Sequence, residues 1–312
     1  MGDKVGIMLQ TDNIAILMAT YNGEKYIKEQ IESVLFQSRS DWELYIHDDG
    51  SVDGTMQIID SYCMRYPDKI HKISGASTGG ARNNFFYLLG CVDAPYYMFC
   101  DQDDVWLKNK IKKTYSAMNR QDDGKPALVF TDLKVADHDL NIIAESMDKY
   151  QKLECCDTSV KRVLIQNMCT GCTMMINRAL RDEMIKAKIS DNIIMHDWWA
   201  ALIAAEFGKM YFISEPQILY RQHRNNSVGA RGFNIKYFLN RFLKKGEVEK
   251  ALRDTEKQAL YFSELYGLDE DDIISGYGRI RELSKIGRIR FYTKNNIYKK
   301  GIIRNIGLFL YC

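Results

Sequence analysis

The sequence predicts an α/β protein: a mostly parallel, doubly wound sheet flanked by helices, followed by a helical C-terminal extension. Three observations carry that prediction. Short apolar runs alternate with segments of helical periodicity through the N-terminal part of the chain. Each apolar run ends in a polar turn cluster, and beyond about residue 230 the sequence becomes helical, Lys/Arg-rich and nearly free of proline.

The elements follow in order. Ile14 to Met18 (IAILM) reads as a buried strand, Asn22-Gly23 opens a turn, and Ile27, Ile31, Val34 and Leu35 recur at helical spacing. Leu44 to His47 is a second strand, and Met56, Ile59 and Cys63 mark the helix after it. Residues 70–73 read as a third strand, 81–92 as a helix, and Tyr96 to Cys100 as a fourth strand. The alternation implies right-handed crossovers between parallel strands. Further on, "ALVFTDLKV" reads as one strand, "DHDLN" as a turn, and "NMCTGCTMMINRAL" as a small-residue loop entering an apolar strand. Trp198 to Phe207 reads as a helix capped by Asp197 and ended by Gly208, with "YFISEPQILYRQH" extended after it. This divides the chain into residues 1–229, themselves split near 135 into two halves, and a basic helical region, 230–312.

Composition narrows the function. A net charge of +2 on 312 residues excludes nucleic-acid binding by bulk electrostatics. No apolar run approaches the roughly 18 residues that cross a bilayer. The N-terminus lacks the pattern of a secretory signal, and Gly6 stands where a myristoylation motif wants Ser or Thr, so a cytoplasmic location is expected. Eight scattered cysteines suit a reducing compartment, and Cys169 and Cys172, a CxxC with no second ligand pair, read as small packing residues.

The chemistry gathers at strand ends, because ligands of such sheets bind outside the carboxyl ends of the strands. "ATYNG", "HDDGSVD" and "DQDD" each end a strand and are expected to converge on one crevice. Asp101, Asp103 and Asp104 crowd within four positions. Two carboxylates about 5 Å apart repel by about 3 kcal/mol at an effective dielectric near 20, so the cluster calls for a cation or a proton. A cation held by so few carboxylates is typically Mg2+ or Mn2+, which takes further ligands from substrate phosphates. Neither GxxxxGK[ST] nor GxGxxG is present, which leaves a metal to neutralise those phosphates.

"ILMATYNGEKYIKEQIESVLFQS", "DWELYIHDDGSVDGT" and "MFCDQDDVW", in that order, resemble family 2 glycosyltransferases with the GT-A fold. With "HDWW" and "LYRQHRNNSVG" they are similar to its bacterial rhamnosyltransferase-like branch, over about residues 13–229. The resemblance implies that Thr20, Tyr21 and Asn22 line the nucleotide pocket, that Asp49 meets the pyrimidine edge, and that Arg82 sits beside the base or diphosphate. It places Asp101 at the ribose and Asp103 on the divalent metal, with His223 a candidate second ligand or a loop anchor. Asp104 is expected to cap the following turn, and Arg221 and Arg224 are phosphate candidates or solvated charges. Asp197 occupies the family's "ED" position as the base for the acceptor hydroxyl, its helix N-terminus favouring the ionised form. Trp198, Thr170 and Gly171 are expected on the acceptor side. A metal-dependent phosphohydrolase reading of His196-Asp197 fails for want of further histidines.

The implied activity is that of an inverting, metal-dependent hexosyltransferase. It would move a sugar, with L-rhamnose the leading candidate, from a dTDP- or UDP-sugar to a saccharide hydroxyl in bacterial surface-polysaccharide synthesis. A catalytically silent sugar-nucleotide or glycan binder, and a nucleotidyltransferase, are the alternatives. The basic run from Arg279 to Arg304, interrupted by Glu282 alone, suits an anionic membrane surface and a lipid-linked acceptor at the inner face of the membrane. Its alternative is a helical face packed on the catalytic domain.

Overall fold

In the computed structural model, residues 13–187, 190–223 and 245–312 are described. The first strand, β1 (Ile14–Thr20), shows why the apolar run is continuous. Ile14, Ile16 and Met18 point to one face of the sheet and Ala15 and Leu17 to the other, and both faces are covered. The chain then turns at Asn22, whose φ of 47° is a left-handed conformation that Asn tolerates. It enters α1 (Ile27–Leu35), whose Ile27, Ile31 and Val34 are fully buried.

The unit repeats through β2 (Trp42–Asp48), α2 (Thr55–Arg65), β3 (Ile70–Lys72), α3 (Ala81–Cys91) and β4 (Tyr96–Asp101). A short β5 (Val105–Trp106), α4 (Lys110–Gln121) and β6 (Ala127–Thr131) follow. The expected single strand over "ALVFTDLKV" is broken in two, with β7 (Lys134–Ala136) in a different sheet. Asp132 causes the break: its carboxylate accepts N–H bonds from Leu133, Met147 and Asp148 and the Ser146 hydroxyl, and so turns the backbone away. After β8 (Ile142–Ala144) come two short helices, α5 (Met147–Gln151) and α6 (Val160–Val163), then β9 (Met174–Asn177) and α7 (Arg178–Met184). Next are α8 (His196–Phe207), β10 (Lys209–Ile213) and β11 (Ile218–Arg221).

The main sheet has the order β10-β6-β9-β4-β1-β2-β3. It is parallel except at β9, which runs antiparallel to both β4 and β6. The extended segment 211–223 likewise serves two sheets: β11 joins β5, β7 and β8 in a four-stranded sheet beside the carboxyl end of β4. That second sheet was not foreseen, because its strands are two to four residues long and carry no period. α8 starts two residues earlier than expected: Met195 is the N-cap residue, and Asp197 lies in the first turn.

The C-terminal helices, α9 (Lys245–Tyr266), α10 (Ile273–Gly278), α11 (Lys285–Asn295) and α12 (Ile302–Tyr311), belong to the same core as the sheet. Trp199 of α8 packs on Tyr261, Phe262 and Tyr266 of α9 with ring centroids 5.7, 5.3 and 6.5 Å away. Much of the basic run is spent on partners within the chain. Arg279 pairs with Glu270, Arg281 with Glu256 and Lys300 with Glu154, and Arg304 donates to the carbonyls of Gln151 and Lys152. The boundary expected near residue 230 lies outside the described residues. Among the described residues no helix is long and apolar enough to cross a membrane.

Gly208 ends α8 where the chain passes the Pro126 carbonyl, and a Cβ there would overlap that oxygen. Both atoms are backbone at the start of the β6–β10 pairing, so neither moves cheaply. Gly208→Ala is therefore expected to cost about 1–3 kcal/mol, read as a lower urea midpoint at unchanged slope.

Candidate functional site

A cavity of about 700 Å³ opens at the carboxyl ends of β1, β2 and β4. Thr20, Tyr21, Asp49, Asp101, Asp103, Thr170, Gly171 and Asp197 all line it. The three strand-end segments and the loop before β9 therefore meet at one site. Asn22, Arg82, His223 and Trp198 are not part of this lining.

Each wall is built by hydrogen bonds the sequence does not announce. The Thr20 hydroxyl donates to Asp48 Oδ2 at 2.8 Å, and the same carboxylate takes the Ser51 hydroxyl at 2.6 Å. Gln102 clamps the backbone of Tyr21 from both sides, accepting its N–H and donating to its carbonyl, each at 2.9 Å. Asp49 is cradled by the loop before α3: it accepts the N–H groups of Thr78, Gly79 and Gly80 and the hydroxyls of Ser77 and Thr78. Burial works to raise its pKa, yet the N–H donors of Thr78 and Gly80 outweigh it and hold the carboxyl below its ordinary value.

The acidic cluster divides by surroundings. Asp101 faces the cavity, and burial first, then the charges of Asp103 and Asp197, push it up to about 7. Asp103 meets His223, whose Nε2 lies 2.8 Å from its Oδ2 and whose ring stacks on Tyr26 at 4.8 Å. Asp104 does not cap the following turn, as its place in the sequence suggests. It is fully buried and accepts the backbone N–H of Arg221 at 3.1 Å, because β11 crosses behind it. Burial, Asp103 and Asp101 hold its pKa well above the ordinary range. Beneath it lies Lys110, also fully buried, its Nζ 4.3 Å from the Trp106 ring centroid and its pKa lowered by burial to about 8. Part of the positive charge the cluster demands is thus a lysine six residues after the last carboxylate of the cluster.

Asp101, Asp104 and Cys172 bring possible ligand atoms within 4.8 Å of one another. The Cys172 thiol, however, is held protonated by burial and by Asp104 and Asp101, and Lys110 already sits against the group. A divalent ion fits the exposed side of the cluster better, where a carboxylate and an imidazole nitrogen already converge at Asp103 and His223. The other CxxC thiol, Cys169, packs in the opposite core cluster, as expected of packing residues.

Asp197 is oriented by three donors: Asn167 Nδ2 at 3.1 Å, Gly171 N–H at 3.1 Å and Trp198 N–H at 2.6 Å. The helix N-terminus does not dominate its ionisation. Burial raises its pKa to about 7 against those donors. Gly171 can approach so closely only for lack of a Cβ, which would come within 2.7 Å of His196 Nε2. His196 itself is buried between Phe85 and Phe99, at centroid distances of 4.2 and 4.8 Å, and burial depresses its pKa to about 3. It is a neutral wedge in the cavity wall.

Three expected residues lie elsewhere. Arg82 is drawn to the loop before α8, donating to Ile193 O at 2.6 Å and pairing with Asp191 at 3.2 Å. The Trp198 indole turns away from the cavity because its N–H donates to Val163 O at 2.6 Å. Asn22 accepts the Val52 N–H and so shapes the turn behind Tyr21. Arg221 is neither solvated nor directed at the cavity. Its guanidinium is buried between Asp103 O, His138 O and Glu29. Arg224 lies outside the described residues. Asp48, Gln102, Lys110 and Asn167 are the site residues that sequence reading missed. Asp48 and Gln102 carried a signal, their places inside "HDDGSVD" and "DQDD".

A family model described as Glycosyl transferase family 2 matches residues 15–182. The dTDP-rhamnosyl transferase RfbG of Shigella flexneri is 33% identical over 238 residues, spanning 70% of this chain and 76% of RfbG. The putative teichuronic acid biosynthesis glycosyltransferase TuaG of Bacillus subtilis (strain 168) is 27% identical over 190 residues, 61% of this chain and 71% of its own. Among solved structures, S. aureus TarS 1-349 matches with a TM-score of 0.53 at 15% identity, covering 95% of this chain and 90% of that one. The mannosyltransferase PcManGT from Pyrobaculum calidifontis, in complex with GDP-Man and Mn2+, matches with a TM-score of 0.52 at 14% identity, covering 96% and 84%. These two likenesses concern the fold.

Asp101 and Asp197 both stand near 7 in the folded protein, above the roughly 3.9 of an unfolded aspartate. At these two sites the native state therefore binds more protons than the unfolded one between those values, and their contribution to stability falls as pH rises through that window. The ligand-free protein is expected to melt at a higher temperature near about pH 5 than near about pH 8, and Asp101→Asn to narrow the difference, as followed by thermal denaturation across pH.

Proposed function

The chain belongs to glycosyl transferase family 2, and from that premise we propose that it is an inverting transferase that moves a sugar from a nucleoside diphosphate to a saccharide hydroxyl. The observation that carries the reading is the position of Asp197 on the same cavity wall as Asp101 and Asp103, close enough for its charge to raise the Asp101 pKa. A base and a leaving-group site share one space. The donor is a pyrimidine-linked sugar, with dTDP-L-rhamnose favoured by the name of the relative from Shigella flexneri.

Asp197 takes the proton of the acceptor hydroxyl while the acceptor oxygen bonds to the anomeric carbon. The bond from that carbon to the diphosphate oxygen breaks in the same displacement, and the electron pair leaves with the nucleoside diphosphate. Asn167 and the Gly171 N–H hold the carboxylate in orientation. A pKa of about 7 makes Asp197 a stronger proton acceptor than a solvated aspartate while leaving much of it ionised at neutral pH. Thr20, Tyr21 and Asp49 line the nucleotide end, and Thr170 and Gly171 the acceptor end.

Asp103 and His223 would hold a divalent cation, Mn2+ or Mg2+, as the Mn2+ of PcManGT suggests. Such an ion supplies Lewis-acid stabilisation of a departing diphosphate. The acceptor belongs to cell-surface polysaccharide assembly, a reading supported by the teichuronic acid biosynthesis named for the Bacillus subtilis relative, and a lipid-linked form of it at the cytoplasmic face of the membrane is part of the same proposal.

Asp197→Asn is expected to lower transfer by about 10²–10⁴-fold while nucleotide binding is retained, and loss of both together would refute its role. The same assignment requires wild-type kcat/KM to fall about tenfold per pH unit below about pH 7. For the metal, a thermal-shift titration with dTDP-, UDP- and GDP-sugars should show stabilisation that depends on Mn2+ and is lost in Asp103→Ala. Equal nucleotide affinity with and without Mn2+ would rule the metal role out.

A further inference from the structure

The C-terminal helices leave one surface that sugar transfer does not use. α12 turns Gly307 and Leu308 into the core, and its other side carries Ile302, Ile306 and Leu310, which are 80%, 48% and 52% exposed. Residues four apart lie above one another on a helix, so these three form a continuous stripe. The one charged residue of α12, Arg304, donates to the carbonyls of Gln151, Lys152 and Lys300 and so faces the catalytic half. The stripe is uncharged along its whole length.

α11 adjoins the end of that stripe, where Lys285 Nζ donates to Leu310 O at 3.1 Å. Ile286, the next residue, is 66% exposed, and Arg290 and Lys294 follow it on the same side of α11, both exposed. From Leu283 to Cys312 the chain holds seven Lys and Arg and no Asp or Glu. We propose that α11 and α12 lie together on an anionic phospholipid bilayer. The apolar stripe enters the headgroup–acyl boundary, and Arg290 and Lys294 contact the lipid phosphates. The charge pattern selects the occupant. A second copy of this chain, docked through the same patch about a two-fold axis, would bring two cation-rich surfaces together, whereas an anionic bilayer neutralises them.

The site of docking bears on the chemistry. Lys300 and Arg304 grip residues 151–154, and the Lys300 N–H reaches the Gln166 side chain. That places the bilayer beside the segment whose next residue, Asn167, orients Asp197. The inference goes beyond the transferase reading and rests on it only in supposing that a lipid-linked acceptor is met there.

Vesicle flotation of the full chain tests it, with phosphatidylcholine alone and mixed with phosphatidylglycerol. The protein should float with the mixed vesicles and stay in solution with phosphatidylcholine. Partition should fall at least about tenfold both in the triple variant Ile302→Ser, Ile306→Ser, Leu310→Ser and in Arg290→Glu, Lys294→Glu. All five positions are exposed, so the fold should survive, and an unchanged nucleotide thermal shift would verify it. Failure to float with anionic vesicles, or flotation undiminished in both variants, overturns the proposal. So does a dimer by light scattering that the triple variant dissolves and that does not float. Loss of the transferase reading would appear separately, as absence of any nucleotide response.

Discussion

Burial of carboxylates at the end of β4 is the constraint around which the rest of the molecule is arranged. Asp101, Asp104 and Asp197 are all held above the ordinary carboxylate range, and in each the first cause is loss of solvent. Charges so placed are tolerated only where compensation arrives from elsewhere in the chain. It comes from Lys110 of α4 below, from the Arg221 N–H of β11 behind, from His223 at the rim, and from Asn167 and Gly171 beside Asp197. β11 of the small second sheet passes behind Asp104 and donates that N–H.

The same side chain is tuned in opposite directions within one cavity. Asp49 and Asp101 both end strands of the same sheet, yet Asp49 sits below its ordinary pKa and Asp101 far above. Backbone N–H groups aimed at Asp49 stabilise its charge, whereas Asp101 faces two other carboxylates. A cavity that is ionised at one end and short of positive charge at the other suits a ligand whose diphosphate arrives with a cation. The transferase reading uses both ends.

The C-terminal helices are part of the same architecture. Trp199 follows the Asp197-Trp198 pair directly, and its packing on α9 ties the helical extension to the helix that carries the proposed base. Basic residues in this region divide into two groups. Arg281, Lys300 and Arg304 hold the extension to itself and to the catalytic half, and Arg290 and Lys294 remain at the surface. Net positive charge alone would not separate these two uses.

Much of the fold was legible in the sequence because its signals are local. Alternation of apolar strands with helical periods placed β1 to β4 and α1 to α3 within a residue or two, and the polar turns after them marked the cavity floor. Family motifs brought Thr20, Asp49, Asp101, Asp103 and Asp197 to attention, and the structure lines one cavity with all five. Tertiary structure decided what depends on distant partners. Asp132 broke an apparent strand through hydrogen bonds to residues fourteen to sixteen positions away. Arg82 and Trp198 were turned from the cavity by carbonyls 111 and 35 residues off, and Asn167 reached Asp197 across 30. Periodicity reports which face of an element is buried. Which charges and N–H groups lie across from that face is set only when the chain closes on itself.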